Sequence, residues 1–318
     1  MNPQETAQEE LPMSFSAGVK TELCRAGLSR GCCAVAEAYG VLLYANSFSA
    51  REIRIITASL AFAQRLPKLF KKGFGFGFDT VSEGSGRTKS ILTITDPEKI
   101  RSIFDAFGYN ADSALVHHIN LGVLEEDCCR AAFIRGAFLA GGSMSDPSKR
   151  CHLELVTDHK SVEGETVSLL LEMGFTPRDT VRAGNYVLYF KQSEMAEDLF
   201  TTIGASAAAM ELMNAKVEKD MRNAINRKIN CDSANADKIV SAAQSQLDKI
   251  RELDRSIGLD KLPPDLGEVA LLRVANPEAS LADLALLADP PVSKSCINHR
   301  LRKLMSYSAE SEPFAQTN

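Results

Sequence analysis

At 318 residues the chain exceeds a typical single domain, so two folded units and a linker are expected. Apolar residues at 45% and charged residues at 24% exclude a largely disordered chain. A net charge of −5 excludes a protein coated with basic residues for indiscriminate nucleic-acid binding, while leaving room for a local basic face.

The chain opens on MNPQETAQEELP, polar and acidic, with neither a basic n-region nor an apolar h-region. No later stretch approaches the ~20 uninterrupted apolar residues of a membrane span. A cytoplasmic protein without membrane contact is expected, with residues 1–13 and 309–318 disordered.

An internal duplication follows. CCAVAEAYGVLLYANSFS (32–49) and CCRAAFIRGAFLAGGSMS (128–145) superpose at an offset of 96 residues. Identities fall at Cys32/Cys128, Cys33/Cys129, Ala36/Ala132, Gly40/Gly136, Leu43/Leu139, Ser47/Ser143 and Ser49/Ser145, where about one is expected by chance. Ala36 and Gly40 in one copy, and Ala132, Gly136 and Ala140 in the other, lie on one helix face and let two backbones approach closely. These helices are expected to form the seam between the halves.

Each copy leads into a strand, REIRIIT (51–57) or CHLELVT (151–157), then a helix, ASLAFAQRLPKLFKK or SVEGETVSLLLEMG. A hairpin follows in each half, FGFGFDTVSEGSGRTKSILTIT or FTPRDTVRAGNYVLYFK, with glycine at the turn. The halves close with DPEKIRSIFDAFG, capped by Asp96 with Pro97 first in the helix, and SEMAEDLFTTIG. The predicted pattern is αββαββα twice, over about 14–110 and 111–207. GFGFGF (73–78) reads as an alternating strand face and not as a phosphate loop, because no Lys-Ser or Lys-Thr follows.

Eight cysteines, at 24, 32, 33, 128, 129, 151, 231 and 296, show no CxxC pair and no nearby Cys/His quartet, so reduced and mostly buried thiols are expected, with no metal and no cofactor. His117 and His118 read as a solvated pair in a connecting segment. No Ser/His/Asp or Cys/His grouping emerges from the linear order.

Beyond residue 207 a basic segment, KVEKDMRNAINRKINCDSANADK (216–238), carries Arg222, Asn223, Asn226 and Arg227 at helical spacing, with Asn230 completing the stripe. The stripe fits either contact with DNA phosphates or hydrogen bonds anchoring the linker, since an interior helical Asn needs partners for its amide. Residues 208–257 are expected as basic linker helices, with the linker itself near 205–215. From 258 to 308 three helices are punctuated by Ser280 with Asp283 as a capping box, by Pro290 and Pro291, and by Ser293. Two helices joined by a four-residue connection, the second one basic, form the arrangement of a helix-turn-helix.

On the last helix Ile297, Leu301 and Leu304 fall on one side and Ser295, His299, Arg302 and Lys303 roughly opposite, flanked by Lys294, Asn298 and Arg300. Lys294, Ser295, Asn298 and His299 suit base edges in the major groove, and Arg300, Arg302 and Lys303 suit phosphates, with Arg302 also able to reach a guanine.

Two copies of an αββαββα unit headed by a helix-seam motif resemble the LAGLIDADG homing-endonuclease fold. FIRGAFLAGGSMSDP, DMRNAINRKINCDSANADK and SKSCINHRLRK, in this order, resemble the WhiA family of bacterial sporulation and cell-division regulators. The resemblance spans residue 13 to about 306 and implies an α+β fold: a degenerate LAGLIDADG-like domain (14–207), then an all-α helix-turn-helix domain (258–308) that binds promoter DNA.

In the endonucleases an acid at each helix end holds a divalent metal that activates water. Ala45 and Gly141 stand at those positions, shifting the alignment by one residue brings Asn46 or Gly142, and Asp146 lies several residues beyond. No catalytic residue is expected. Asn46, where the family usually has glycine, is compatible with left-handed backbone. The expected function is sequence-specific regulation of sporulation or cell-division genes at double-stranded promoter DNA, with nucleoid association. The resemblance implies a WhiB-like partner in some members. Rival readings are an interaction scaffold for division or nucleoid proteins, and an active endonuclease.

Overall fold

A computed structural model of the chain describes residues 13–84, 88–109, 117–149 and 151–308. The expected disordered ends lie outside the described residues, apart from Met13. Contacts divide the chain into two units after Asp220.

The first unit begins with α1 (Phe15–Leu23), whose start is fixed by Ser14 accepting from the Ala17 N–H. This helix precedes the duplicated pattern and adds an element to those expected from sequence. The first repeat runs α2 (Gly31–Leu43), β1 (Ser47–Phe48), β2 (Ile53–Thr57), α3 (Leu60–Phe74), β3 (Thr80–Ser82), β4 (Ser90–Ile94) and α4 (Pro97–Phe107). The second runs α5 (Asp127–Gly141), β5 (Gly142–Met144), β6 (Leu153–Thr157), α6 (Lys160–Glu172), β7 (Arg178–Arg182), β8 (Asn185–Phe190) and α7 (Ser193–Ile203). Each repeat builds an antiparallel four-stranded sheet, ordered β1-β2-β4-β3 and β5-β6-β8-β7.

The β7–β8 turn uses Ala183 and Gly184, both at positive φ (49° and 84°), the backbone a two-residue hairpin needs to match strand twist. The first hairpin is shorter than expected. GFGFGF is not a strand face: Phe74 ends α3, Gly75 closes it at φ 85°, and Phe76 and Phe78 pack back onto Phe74 and Phe70. The left-handed glycine and the clustering of aromatic rings override the period-two pattern.

α2 and α5 lie against each other at the centre of the unit. A Cβ on Gly40 would collide with the Phe133 carbonyl and come within 2.9 Å of the Ala137 nitrogen. A Cβ on Gly136 would collide with the Glu37 carbonyl and come within 2.9 Å of the Val41 nitrogen. The two sets correspond at the 96-residue offset, so the seam has approximate two-fold symmetry. Ala36 and Ala132 are fully buried at this centre and Ala140 is partly buried. One apolar core runs through the whole unit, from Val19 on α1 to Leu212.

α8 (Ser206–Ser256) is a single helix of 51 residues, where the sequence predicts a break near 205–215 and several linker helices. The stretch contains neither glycine nor proline, so nothing in it stops helix propagation. In the second unit α9 (Pro264–Ala275), α10 (Leu281–Leu287) and α11 (Lys294–Met305) follow. Ile250, Leu253, Leu262, Leu266, Ala270 and Leu304 form one core cluster, and Val269, Leu284, Ala285, Ala288, Ile297 and Leu301 another. The α10–α11 connection covers 288–293 and is longer than the four residues expected, because Asp289 precedes Pro290 and is pushed away from helical backbone. No helix among the described residues is long and apolar enough to cross a membrane.

Candidate nucleic-acid interface and the helix seam

The C-terminal ends of α2 and α5 carry no carboxylate. Ala45 is half-buried, and Asn46 accepts a 2.9 Å hydrogen bond from the Ile56 N–H through its side chain. Asn46 lies outside the left-handed region, and its side chain ties the helix exit to β2. Gly141 has no room for a side chain: a Cβ there would lie 2.5 Å from the Val156 carbonyl and 2.9 Å from the Tyr44 ring. Tyr44 fills the place, donating to the Thr166 hydroxyl at 2.9 Å, and burial raises its phenol well above the ordinary range.

Lys20 donates to the Leu139 carbonyl at 3.1 Å and so adds a cation at the end of α5. Burial holds its pKa down at about 8. Asp146 is exposed and accepts from the Ser148 N–H and hydroxyl at 2.9 and 2.7 Å, bonds that lower its pKa. This residue set does not fit a divalent metal of the endonuclease kind, because the ends offer an alanine, a glycine, a tyrosine and an ammonium in place of hard oxygen anions.

The last helix is presented by a short chain of local causes. Arg273, 2% exposed, donates to the Ala279 carbonyl at 2.6 Å and so fixes the backbone just ahead of α10. Ser280 and Asp283 make the reciprocal capping box that starts α10. Ser293 then starts α11 by accepting from the Cys296 N–H. Ile297, Leu301 and Leu304 face the core, leaving Lys294, Ser295, His299, Arg302 and Lys303 exposed and Asn298 and Arg300 half-exposed. Two of the cations meet acids of α9: Arg300 bonds Glu268 at 3.0 Å and Lys303 lies 3.6 Å from Asp265. Among the described residues Lys294 and Arg302 have no ion-pair partner, which leaves them as the unneutralised charges of this face. On α8, Arg222, Asn223, Asn226 and Arg227 are all exposed, with Arg227 donating to the Asn223 carbonyl at 3.3 Å.

Two sequence expectations are corrected. His117 is not a solvated residue: its ring stacks on His159 with centroids 3.8 Å apart and bonds the Phe48 carbonyl at 2.8 Å, and burial lowers its pKa. The expectation of mostly buried thiols with no nearby quartet also fails: of the eight cysteines only Cys129 is buried, and the sulfurs of Cys32, Cys33, Cys128 and Cys129 lie within 4.8 Å of one another. Linear spacing hides the quartet, but the duplication contained the signal. The two pairs stand at equivalent positions of the repeated helices, and the packing of α2 against α5 brings them together.

A duplicated αββαββα domain with a helix seam and no acids at the helix ends, continued by a helix-turn-helix with a basic last helix, defines a LAGLIDADG-derived DNA-binding protein. The WhiA LAGLIDADG-like domain matches residues 130–222 and the WhiA C-terminal HTH domain matches residues 225–308. A probable cell division protein WhiA from Ruminiclostridium cellulolyticum is 40% identical over 92% of this chain and 96% of its own length. One from Clostridium acetobutylicum is 37% identical over 94% and 98%. The crystal structure of full-length DUF199/WhiA from Thermatoga maritima covers 92% of this chain and 97% of its own, with a TM-score of 0.57 at 23% identity, which shows a shared fold. The chain belongs to the WhiA family.

Proposed function

We propose that this protein is a sequence-specific transcriptional regulator of cell-division and sporulation genes, acting on promoter DNA at the nucleoid, and that it does not cut DNA. The observation that carries this reading is α11: three apolar residues bury one side while Lys294, Ser295, His299 and Arg302 stand exposed on the other. In this reading Lys294, Ser295, Asn298 and His299 reach base edges. Arg302 holds phosphate or a guanine, and Arg300 and Lys303 trade their α9 partners for phosphates. Arg222, Asn223, Asn226 and Arg227 add backbone contacts along α8. Metal-assisted hydrolysis has no physical basis at Ala45 and Gly141.

A protein partner, WhiB-like or from the division or nucleoid machinery, is a second reading. It is favoured by Met221, Ile225 and Ile229, which recur every fourth residue on α8 and are 62, 57 and 58% exposed. The test of the first reading is fluorescence anisotropy of the full-length protein with genomic fragments selected on it, across a salt series. Tighter binding to selected than to random fragments supports regulation. Equal binding to both sinks it, and magnesium-dependent nicking would restore the enzyme.

A further inference from the structure

We propose that Cys32, Cys33, Cys128 and Cys129 form a tetrathiolate site for a single zinc ion that clips together the N-terminal ends of α2 and α5. All four sulfurs lie within 4.8 Å of one another, and the Cys32 and Cys33 sulfurs are 4.0 Å apart. A tetrahedral ion with Zn–S bonds of about 2.3 Å sets its ligands roughly 3.8 Å apart, so one ion needs only a small contraction of the cluster. A polynuclear iron–sulfur core would need the sulfurs to spread. The quartet is one mutual group and not two separated pairs, which favours a shared ion over two cross-seam disulfides.

The helix starts and one guanidinium place positive charge beside the sulfurs. Each pair occupies the second and third positions of its helix, and neither Arg30 ahead of α2 nor Glu126 ahead of α5 supplies a side-chain cap. The partial positive charge of both helix starts therefore faces sulfur. Arg30 adds a full charge, with its Nη1 3.5 Å from the Cys128 sulfur. The site is graded from outside to inside: Cys32 is exposed, Cys33 and Cys128 are half-buried, and Cys129 is 3% exposed, so an ion has an entry path and a shielded seat. On binding, each thiol gives its proton to solvent, four Zn–S bonds form, and the site carries a net charge of −2 that Arg30 partly offsets. No oxidant is required. The site lies at the opposite end of the helices from Ala45 and Gly141, about 18 Å along α2 at ~1.5 Å per residue, so it is separate from the ancestral catalytic position.

The test is elemental analysis of the full-length protein, purified with thiol reductant and without chelator. One zinc per chain is expected. Stripping the metal and adding cobalt should give the visible absorption of tetrahedral cobalt, with thiolate-to-cobalt charge transfer in the near ultraviolet. Cys33→Ser combined with Cys129→Ser should lose the ion, while Cys24→Ser and Cys231→Ser retain one equivalent. Should the double variant not fold, the cobalt spectrum and a zinc-dependent rise in Tm of the wild-type chain carry the test. Eight titratable thiols with no ion and no cobalt spectrum would overturn the proposal. So would a peptide map showing cross-seam disulfides, or iron in place of zinc.

Discussion

Glu37 of the first repeat and Arg135 of the second meet at 2.8 Å across the helix seam, with Arg65 bonding the same carboxylate at 2.5 and 2.8 Å. Arg135 also donates to the Ile203 carbonyl at 3.0 Å, and Arg65 to the Cys24 and Ala26 carbonyls at 3.0 and 2.7 Å. One fully buried acid therefore holds α3, α5 and the chain around α1 and α7 together. Glu37→Ala leaves two guanidinium groups without their anion and is expected to destabilise the first unit by about 3–5 kcal/mol in urea unfolding. A change below about 1 kcal/mol would mean that solvent reaches the arginines.

The glycines of the seam give a second test. Gly40→Ala and Gly136→Ala push a methyl into the backbone of the facing helix, so each is expected to cost about 1–3 kcal/mol or more in thermal or chemical unfolding. A methyl placed on Gly164, inside α6, would meet nothing within 4 Å, and Gly164→Ala is expected to stabilise by about 0.5–1 kcal/mol. Equal effects at all three positions would contradict the close approach.

Lys20 predicts a pH dependence. Its folded pKa of about 8 lies below the ordinary 10.5, so between these values the unfolded chain binds more protons and stability rises with pH. Relative to Lys20→Met, the wild-type protein should gain about 1–3 kcal/mol between pH 8 and 10.5, the charge penalty being constant below pH 8. Parallel stability curves for the two chains would show that the ammonium is fully solvated.

On α11 the ion pairs separate two arginines. Arg302→Ala should weaken DNA binding by roughly tenfold and reduce the salt slope by about one. Arg300→Ala removes a cation already met by Glu268 and should have the smaller effect on both. The reverse order would make Arg300 the stronger phosphate contact and leave Arg302 as the weaker one.

The duplication and the three final helices are legible in the chain because both are local: an apolar period, an Asp-Pro start, a Ser cap. What escapes a linear reading depends on distance. α1 has only weak patterning, the continuity of α8 shows as an absence of breakers, and the GFGFGF run is decided by the left-handed Gly75 and by rings from α3. The cysteine quartet combines two pairs 96 residues apart, so only the crossing of α2 and α5 reveals it. Within the candidate DNA face, the exposed positions follow from helical period, but the neutralisation of Arg300 and Lys303 requires the position of α9.

Gly141 sets a constraint that reaches beyond its own position. An aspartate returned to that position would meet the Val156 carbonyl and the Tyr44 ring before it could reach any ion, and its counterpart at Ala45 would still be missing. Seating a carboxylate at this helix end would need a smaller residue at 44 and a shifted β6 together. The close packing at this helix end therefore acts as a lock: no single substitution seats a carboxylate there.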